Sequence, residues 1–455
     1  MPYARERASK GGHSDLVKNP DVAGFLEDCE YMKEPTDEEA ESIASSYQPA
    51  PAGDTLPIKV VASDASPYSE PISGKFPSTQ IGYVKVSLVL IDLKDYDGLS
   101  KPGERFVDPF KVAAMHRNAD AIAFTLPGSN IRYKGAKTVQ AGFRRAIWDQ
   151  LSDERTCFSK GADFTVRGTL LDIDGGTVNM KKCPVCGFEP SGGFKFTQGQ
   201  EIQICPGCSE EVYLTDSLRI HEQMSDFGDN TAAMTRFMNA TEHLIVATLI
   251  RMLNHYQPKV LSDMAFIVDG PLAIFGQPAS ISFGLLSLYN RIAQNLAKQG
   301  LQPPIIMGLQ KDGQVMEHAR ALSRYLQNNT YRVVDDDYRA SFIIGTNALT
   351  DNFGHETYYG QDFIFKTNAG RIFTVGVPYP FPDKKNRKLF AKQKADVAFY
   401  GNQIARAFDV VRHFEFDLYE NAVVPIALAH RHASISLVPG GKVLDLVTRH
   451  GLGIT

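Results

Sequence analysis

The apolar residues of this chain fall into short runs of strand length separated by longer stripes of helical spacing. One run organises the rest. Met264 to Gly276 reads MAFIVDGPLAIFG. Its β-branched segment, Ala265-Phe266-Ile267-Val268, stops at Asp269, and Gly270 and Pro271 follow. This predicts a buried parallel strand with a turn behind it. A carboxylate there either opens the turn or serves a ligand, because ligands collect at the C-terminal edge of open α/β sheets. Ile58 to Ala62 (IKVVA) repeats the pattern, leading into Ser63-Asp64-Ala65-Ser66. Gly82 to Leu93 alternates and then runs apolar, which predicts a neighbouring antiparallel strand.

Helical spacing covers Pro109 to Asn118, Thr138 to Asp153 and Asn230 to Asn254. In the last of these, Met234, Phe237, Met238, Leu244, Ile245, Leu249 and Met252 form a wide apolar face interrupted by Glu242. Ile281 to Lys298 is amphipathic and is stopped by Gly300, and Pro304 to Leu309 is again a buried strand, so a parallel crossover is expected. Gln310-Lys311-Asp312-Gly313 then brings a lysine to the edge that carries Asp269. Val315 to Gln327 continues as a helix. Val333-Val334 is a short strand, and Tyr358 to Lys366 with Arg371 to Pro378 form a hairpin. Phe164 to Ile173 reads as a strand. Ala395 to Phe414 is helical, and Val424 begins a helix with His430 on its first turns. Asp383 to Lys394 is a concentrated basic run, fit for a phosphate backbone or for a solvated loop. The expected class is α/β: a mixed sheet flanked by helices. A strand ending in Asp and followed by an antiparallel strand is how a ribonuclease H-like sheet begins.

At 455 residues the chain exceeds one simple core, and 43% hydrophobic with 22% charged residues is ordinary for a globular protein. No apolar run is long enough to span a bilayer, and the N-terminus has no signal-peptide core. A cytoplasmic, membrane-free protein is therefore expected. Residues 1–56 read as an N-terminal arm and linker, and 57–455 as the main domain. Net charge is −4, so any nucleic-acid contact must be local. Four of the six cysteines form two C-P-x-C turns, Cys183/Cys186 and Cys205/Cys208. Two thiolates on each turn supply the tetrahedral soft set that Zn²⁺ prefers, which predicts a structural zinc ribbon inserted at 178–215. Cys29 and Cys157 are expected to be buried thiols.

Asp64, Asp269 and the helix-borne Glu242 are three hard oxygen donors aimed at one sheet edge, a set suited to Mn²⁺ or Mg²⁺. Such ions support in-line phosphodiester hydrolysis, with Lys311 placed to balance charge on the phosphate. There is no G-x-x-x-x-G-K-[ST] loop and no G-x-S-x-G elbow, so neither a nucleotide-driven motor nor acyl transfer is indicated. Each residue also has a plainer reading: Asp64 as a turn residue, Glu242 pointing to solvent or to Arg236, and a lone His430 as structural.

The ordered set VVASDAS (60–66), the Glu242 helix, FIVDGPL (266–272), GLQKDG (308–313), the hairpin after His355 and VPIALAHRHASISL (424–437) resembles the NurA-type nucleases. The resemblance covers most of 57–440. It implies a ribonuclease H-like core, a homodimer, Mn²⁺-dependent DNA cleavage in end resection, and a hexameric HerA-type ATPase partner, in DNA repair or in defence against foreign DNA. It carries Asp64, Glu242 and Asp269 over as metal ligands, and Lys311 and His430 as phosphate or substrate contacts. The first and central motifs read Ser-Asp-Ala-Ser and Asp-Gly-Pro where the family usually has Asp-Gly-Ser. The stretch from Glu242 to Asp269 is longer than expected, which keeps Glu222 as the alternative third carboxylate. The ribbon is an insertion that minimal members lack. The competing class is a non-catalytic zinc-ribbon DNA-binding or adaptor protein with an inactive core.

Overall fold

The computed structural model describes residues 16–29, 34–73, 75–99, 109–159, 164–345, 353–416, 423–435, 444 and 447–449. Nine strands form one mixed sheet: β1 (Gln48–Pro49), β2 (Lys59–Pro71), β3 (Gln80–Asp92), β4 (Ala119–Pro127), β5 (Met264–Asp269), β6 (Ile305–Gln310), β7 (Thr330–Val333), β8 (Gly360–Lys366) and β9 (Ile372–Pro378). Their order is β1-β7-β8-β9-β6-β5-β2-β3-β4. β2, β5 and β6 are mutually parallel, and the other pairings are antiparallel. The parallel centre is the part whose sequence is apolar without alternation, as burial on both faces requires.

Helices cover both faces. Those that matter for the site are α1 (Val139–Ser152), α2 (Val166–Ile173), α3 (Thr231–Tyr256), α4 (Ile281–Lys298), α5 (Gln314–Ala321), α6 (Gln403–Phe414) and α7 (Val424–Ala433). On one face, Val61, Phe266 and Val268 pack against Leu244 and Ile245 of α3 and Leu285 of α4. On the other, Val60, Ala62, Ala265, Ile267 and Met307 meet Phe408 of α6 and Ile426 of α7. The α4 stop is chemical: Gly300 takes φ +71, Gly300 N–H donates to Ala297 and Leu301 N–H to Leu296, a Schellman motif.

Several expectations are corrected. Phe164 to Ile173 is not a strand. Thr165 caps Gly168 N–H, and Val166, Thr169 and Leu170 bury one helical face of α2. The β-branched residues that suggested a strand are the cap and the core stripe of a helix. The strand carrying Asp64 does not stop there either. β2 continues to Pro71 because β3 is long enough to pair with it throughout, from Lys59 opposite Asp92 to Pro71 opposite Gln80. What ends is the pairing with β5, at Ser63 opposite Val268. His430 lies in the last turn of α7, since Pro425 sits at the helix start. The basic run is neither a free phosphate track nor a solvated loop throughout. Lys384 and Lys394 are 0% and 2% exposed, the first bonded to Ser282 Oγ and the Tyr358 carbonyl, the second to Asp336 and the Phe353 carbonyl. Cys29 is exposed and Cys157 half-buried, so neither is a core thiol. Among the described residues no helix is long and apolar enough to cross a membrane.

The four-cysteine module has two hairpins of its own, Val178–Met180 with Phe194–Phe196 and Ile202–Ile204 with Glu211–Tyr213. It is fastened to α1. Arg144 donates to both carboxylate oxygens of Asp216 at 2.8 and 2.5 Å, with both side chains buried, and Trp148 stacks on Tyr213 at 5.5 Å between centroids. Removing one partner of a buried bidentate pair strands the other charge. Asp216→Ala is therefore expected to cost about 3–5 kcal/mol in denaturant unfolding. A loss below about 1 kcal/mol, the range of exposed pairs, would show that the module docks through its apolar contacts alone.

Candidate active site and candidate metal centres

The site lies where β5 ends and β2 runs on. Ser63 is the last residue of β2 opposite β5, facing Val268, and Asp64 and Asp269 are each one residue further along parallel strands. Register therefore sets the two carboxylates side by side on one face. β5 stops because Gly270 adopts φ +96, and Gly270 N–H is held by the Leu309 carbonyl. The turn then lies flat on β6. A Cβ at Gly308 would stand 2.5 Å from the Gly270 carbonyl oxygen, so only glycine admits this approach.

Asp64 is 5% exposed. One of its oxygens accepts from Ala65 N–H at 2.8 Å, and the other meets His430 Nδ1 at 2.7 Å. His430 reaches over from the last turn of α7 with its side chain 60% exposed, so the ring links the buried carboxylate to solvent. Lys311 Nζ donates to Asp269 at 2.7 Å. Burial pushes the Asp269 carboxyl up to about 6; Lys311 opposes this and the neighbouring Asp64 adds to it. Donor atoms of Asp64, Asp269 and His430 all lie within 4.8 Å of one another.

Glu242 comes from the other face. Successive residues of a strand point oppositely, so Ser63 turns toward α3 while Asp64 turns toward α7. Ser63 Oγ donates to Glu242 Oε1 at 2.8 Å, and Glu242 is 4% exposed. Its carboxyl is held well above the usual range, first by burial and then by the charge of Asp64, with Asp269 adding to it. Glu242 thus stands behind β2, within electrostatic reach of the pair but outside the three-donor cluster. Glu222 is elsewhere, on the turn Ile220–Gln223, paired with Arg219 through two 2.8 Å bonds.

Three contributors escaped the sequence reading. Ser63 is the hydroxyl that holds Glu242, and a serine inside an apolar strand was the available signal. Gly308 in PIIMGLQ is the second; glycine inside a strand marks a close backbone approach. Ser87 is the third. It lies opposite Asp64 on β3, fully buried, and its hydroxyl has no partner among the described residues. Two carboxylates and an imidazole this close could hold a divalent metal ion.

The cysteine cluster has a different character. Cys183 and Cys208 sulfurs stand 3.8 Å apart and those of Cys186 and Cys205 3.7 Å. Zn–S bonds of about 2.3 Å in a tetrahedron set S···S edges of about 3.8 Å. The two turns are built alike. Val185 N–H points to Cys183 Sγ and Gly207 N–H to Cys205 Sγ, while Gly187 and Ser209, at matching positions, both take positive φ. The spacing and the donor set fit zinc. With four sulfurs filling the shell, no position is open to a substrate.

No protein-family profile matches the chain, and no curated protein matches it. Among solved structures, the NurA nuclease from Sulfolobus solfataricus is similar over 98% of this chain and 98% of its own, with 9% identity and a TM-score of 0.35. A second NurA structure is similar over 96% of each chain, with 11% identity and a TM-score of 0.25. Likeness of that degree assigns no residue a role.

Freshly purified protein is expected to carry about one zinc per chain, as a four-thiolate site does. Cys183→Ser should lower that content and reduce thermal stability, because metal binding contributes to local folding. Elemental analysis finding no zinc would refute the ribbon.

Proposed function

We propose that this protein is a divalent-metal-dependent DNA nuclease. The observation that carries the reading is the meeting of Asp64, Asp269 and His430 at the end of β5, with Lys311 on Asp269 and Glu242 behind β2. The ribonuclease H-like reading is supported by the meander β2-β3-β4, which begins with the strand bearing Asp64, and by the parallel strands β5 and β6 that follow it. In this proposal residues 57–455 are the nuclease domain, 178–215 the inserted ribbon and 1–56 the arm.

Asp64 and Asp269 would hold a Mn²⁺ or Mg²⁺ ion, with Glu242 as a third carboxylate behind β2; such an ion would supply Lewis-acid activation of water and neutralise charge on a phosphate. The protein's own groups do the rest. Asp64 fixes Nδ1 of His430 and leaves Nε2, 3.5 Å from the exposed Ser434 hydroxyl, placed to take a proton from water or give one to the leaving oxygen. Lys311, held on Asp269, would present its ammonium to a scissile phosphate. The turn at Gly270 packs directly on Gly308 and fixes where β5 ends beside Asp269.

The partner reading follows the sequence resemblance: a homodimer working with a HerA-type hexameric ATPase in DNA repair or in defence against foreign DNA. The arm divides into two parts. Helix Asp37–Ala44 packs Ala40 and Ile43 against Val315 and Leu322 of its own domain. Helix Pro20–Glu27 buries nothing, and Phe25 and Leu26 are 69% and 63% exposed. With Val22 they are the proposed docking face; Met32, the fourth residue of that expected face, lies outside the described residues. The alternative, an inactive DNA-binding or adaptor protein, would need only the ribbon and a basic surface and has no use for two adjacent carboxylates, one buried and one half-buried.

Asp64→Ala and Asp269→Ala should each abolish Mn²⁺-dependent cleavage of DNA while leaving the melting temperature unchanged or higher, since each relieves repulsion in the unmetallated pair. His430→Ala should slow cleavage by about 10²-fold or more, the scale of one lost proton-transfer group. Glu242→Ala should be inactive and Glu222→Ala active. Cleavage by both Asp variants at the parent rate would reject the nuclease at this edge. A variant lacking residues 1–33 should fold, cleave weakly and fail to co-purify with the ATPase. Equal capture of truncated and full-length protein would remove the docking role from the arm.

A further inference from the structure

A pocket of about 370 Å³ lies away from this chemistry, among the C-terminal half of α4, the start of β6, the end of β9 and the first turn of α6. Ile305 is opposite Ala265 while Leu309 is opposite Asp269, so the pocket sits at the other end of the central strands, about 13 Å along from the carboxylate pair. Its walls include Ile292, Ala297, Pro304, Tyr379 and Phe399. Most of that lining is apolar, and one cation stands in it.

That cation is Arg406, which is 6% exposed. Among the described residues its one side-chain hydrogen bond goes from Nη1 to the carbonyl of Pro303, another wall residue, at 2.8 Å, and Nε has no partner. Asp263 acts on it electrostatically without forming an ion pair. The other buried arginines are matched: Arg144 with Asp216, and Arg339 with Asp362. A guanidinium keeps its charge at any ordinary pH, so burying it without a counter-ion is costly. Arg406 also stands in the first turn of α6, a helix of 12 residues whose N-cap Asn402 makes no side-chain cap bond. The uncapped first-turn amides add to the positive field.

We infer that this pocket binds a carboxylate carried on a small apolar body. The planar guanidinium fork matches a carboxylate, and the aromatic, proline and aliphatic walls suit a branched or aromatic group. The volume falls near the lower end of small-molecule sites, roughly 300–1,000 Å³. Such a group reaches the pocket either as a free organic acid or as the C-terminal residue of a peptide chain.

The inference is independent of the nuclease reading and is tested on the full-length protein by calorimetric titration. Three probes separate the cases: 4-methylpentanoate, its amide, and the peptide acetyl-Ala-Ala-Leu with a free carboxylate. The acid should bind at least tenfold more tightly than the amide. Arg406→Met should erase that preference; replacing an unpaired buried charge by an apolar chain of similar length keeps the fold. Ala297→Trp, on an exposed face of α4, should block the pocket and abolish binding of every probe. Tighter binding of the peptide than of the free acid assigns the site to a chain end; the reverse assigns it to a free acid. No binding by any probe, equal affinity for acid and amide, or unchanged binding in both variants overturns the inference.

Discussion

The structure is arranged around one electrostatic constraint: two carboxylates held side by side in a poorly hydrated place. Left to themselves Asp64 and Asp269 would separate, since like charges in low dielectric repel strongly. They cannot separate, because each is the next residue of a strand locked in parallel register with the other. The apolar faces of β2 and β5 are buried between α3 on one side and α7 on the other, and moving either strand would undo that packing. The fold thus imposes an arrangement that the side chains alone would not choose. Lys311 donates to Asp269, and His430 Nδ1 meets Asp64. This is the arrangement expected when repulsion is retained for a bound cation rather than relieved by sequence change.

The same constraint explains features that look unrelated. β5 must stop sharply so that Asp269 meets the edge, which requires positive φ at Gly270 and no side chain at Gly308. β2 must not stop, so that Asp64 stays backed by β3 after β5 has gone. The serine before Asp64 faces the opposite way and holds Glu242, which fixes a third carboxyl behind the strand without crowding the first two.

Much of this was legible in the sequence, because apolar runs and their periodicity are set by burial. β5, β6, α3, α4 and the hairpin β8–β9 follow directly from them. α4 ends where Gly300 predicts. What failed to show is instructive. Thr165-Val166 looks β-branched and strand-like, yet a threonine whose hydroxyl caps an amide three residues on starts a helix. The continuation of β2 past Asp64 lies in Ser66 to Pro71, residues with no apolar pattern, and only the long partner β3 holds them in a ladder. Lys384 and Lys394 read as solvent-facing because lysines usually are; their burial depends on carbonyls and carboxylates remote in sequence. On its own segment His430 read as structural and only the family resemblance brought it to the site; its contact with Asp64 spans most of the chain, and no local spacing encodes it.

The two candidate metal centres differ in the softness of their donors, and that difference keeps them from competing. Four thiolates in a closed tetrahedron select Zn²⁺ and leave no open position. Two carboxylates beside an exposed imidazole offer hard oxygen donors that do not close a shell, which suits an ion that exchanges its ligands. The ribbon is joined to the body through α1 by a buried arginine pair and an aromatic stack, not through the strands that carry Asp64 and Asp269. A change at the four cysteines therefore acts first on the stability of the module and on whatever that module contacts. The geometry at the end of β5 depends instead on strand register, which the module does not touch.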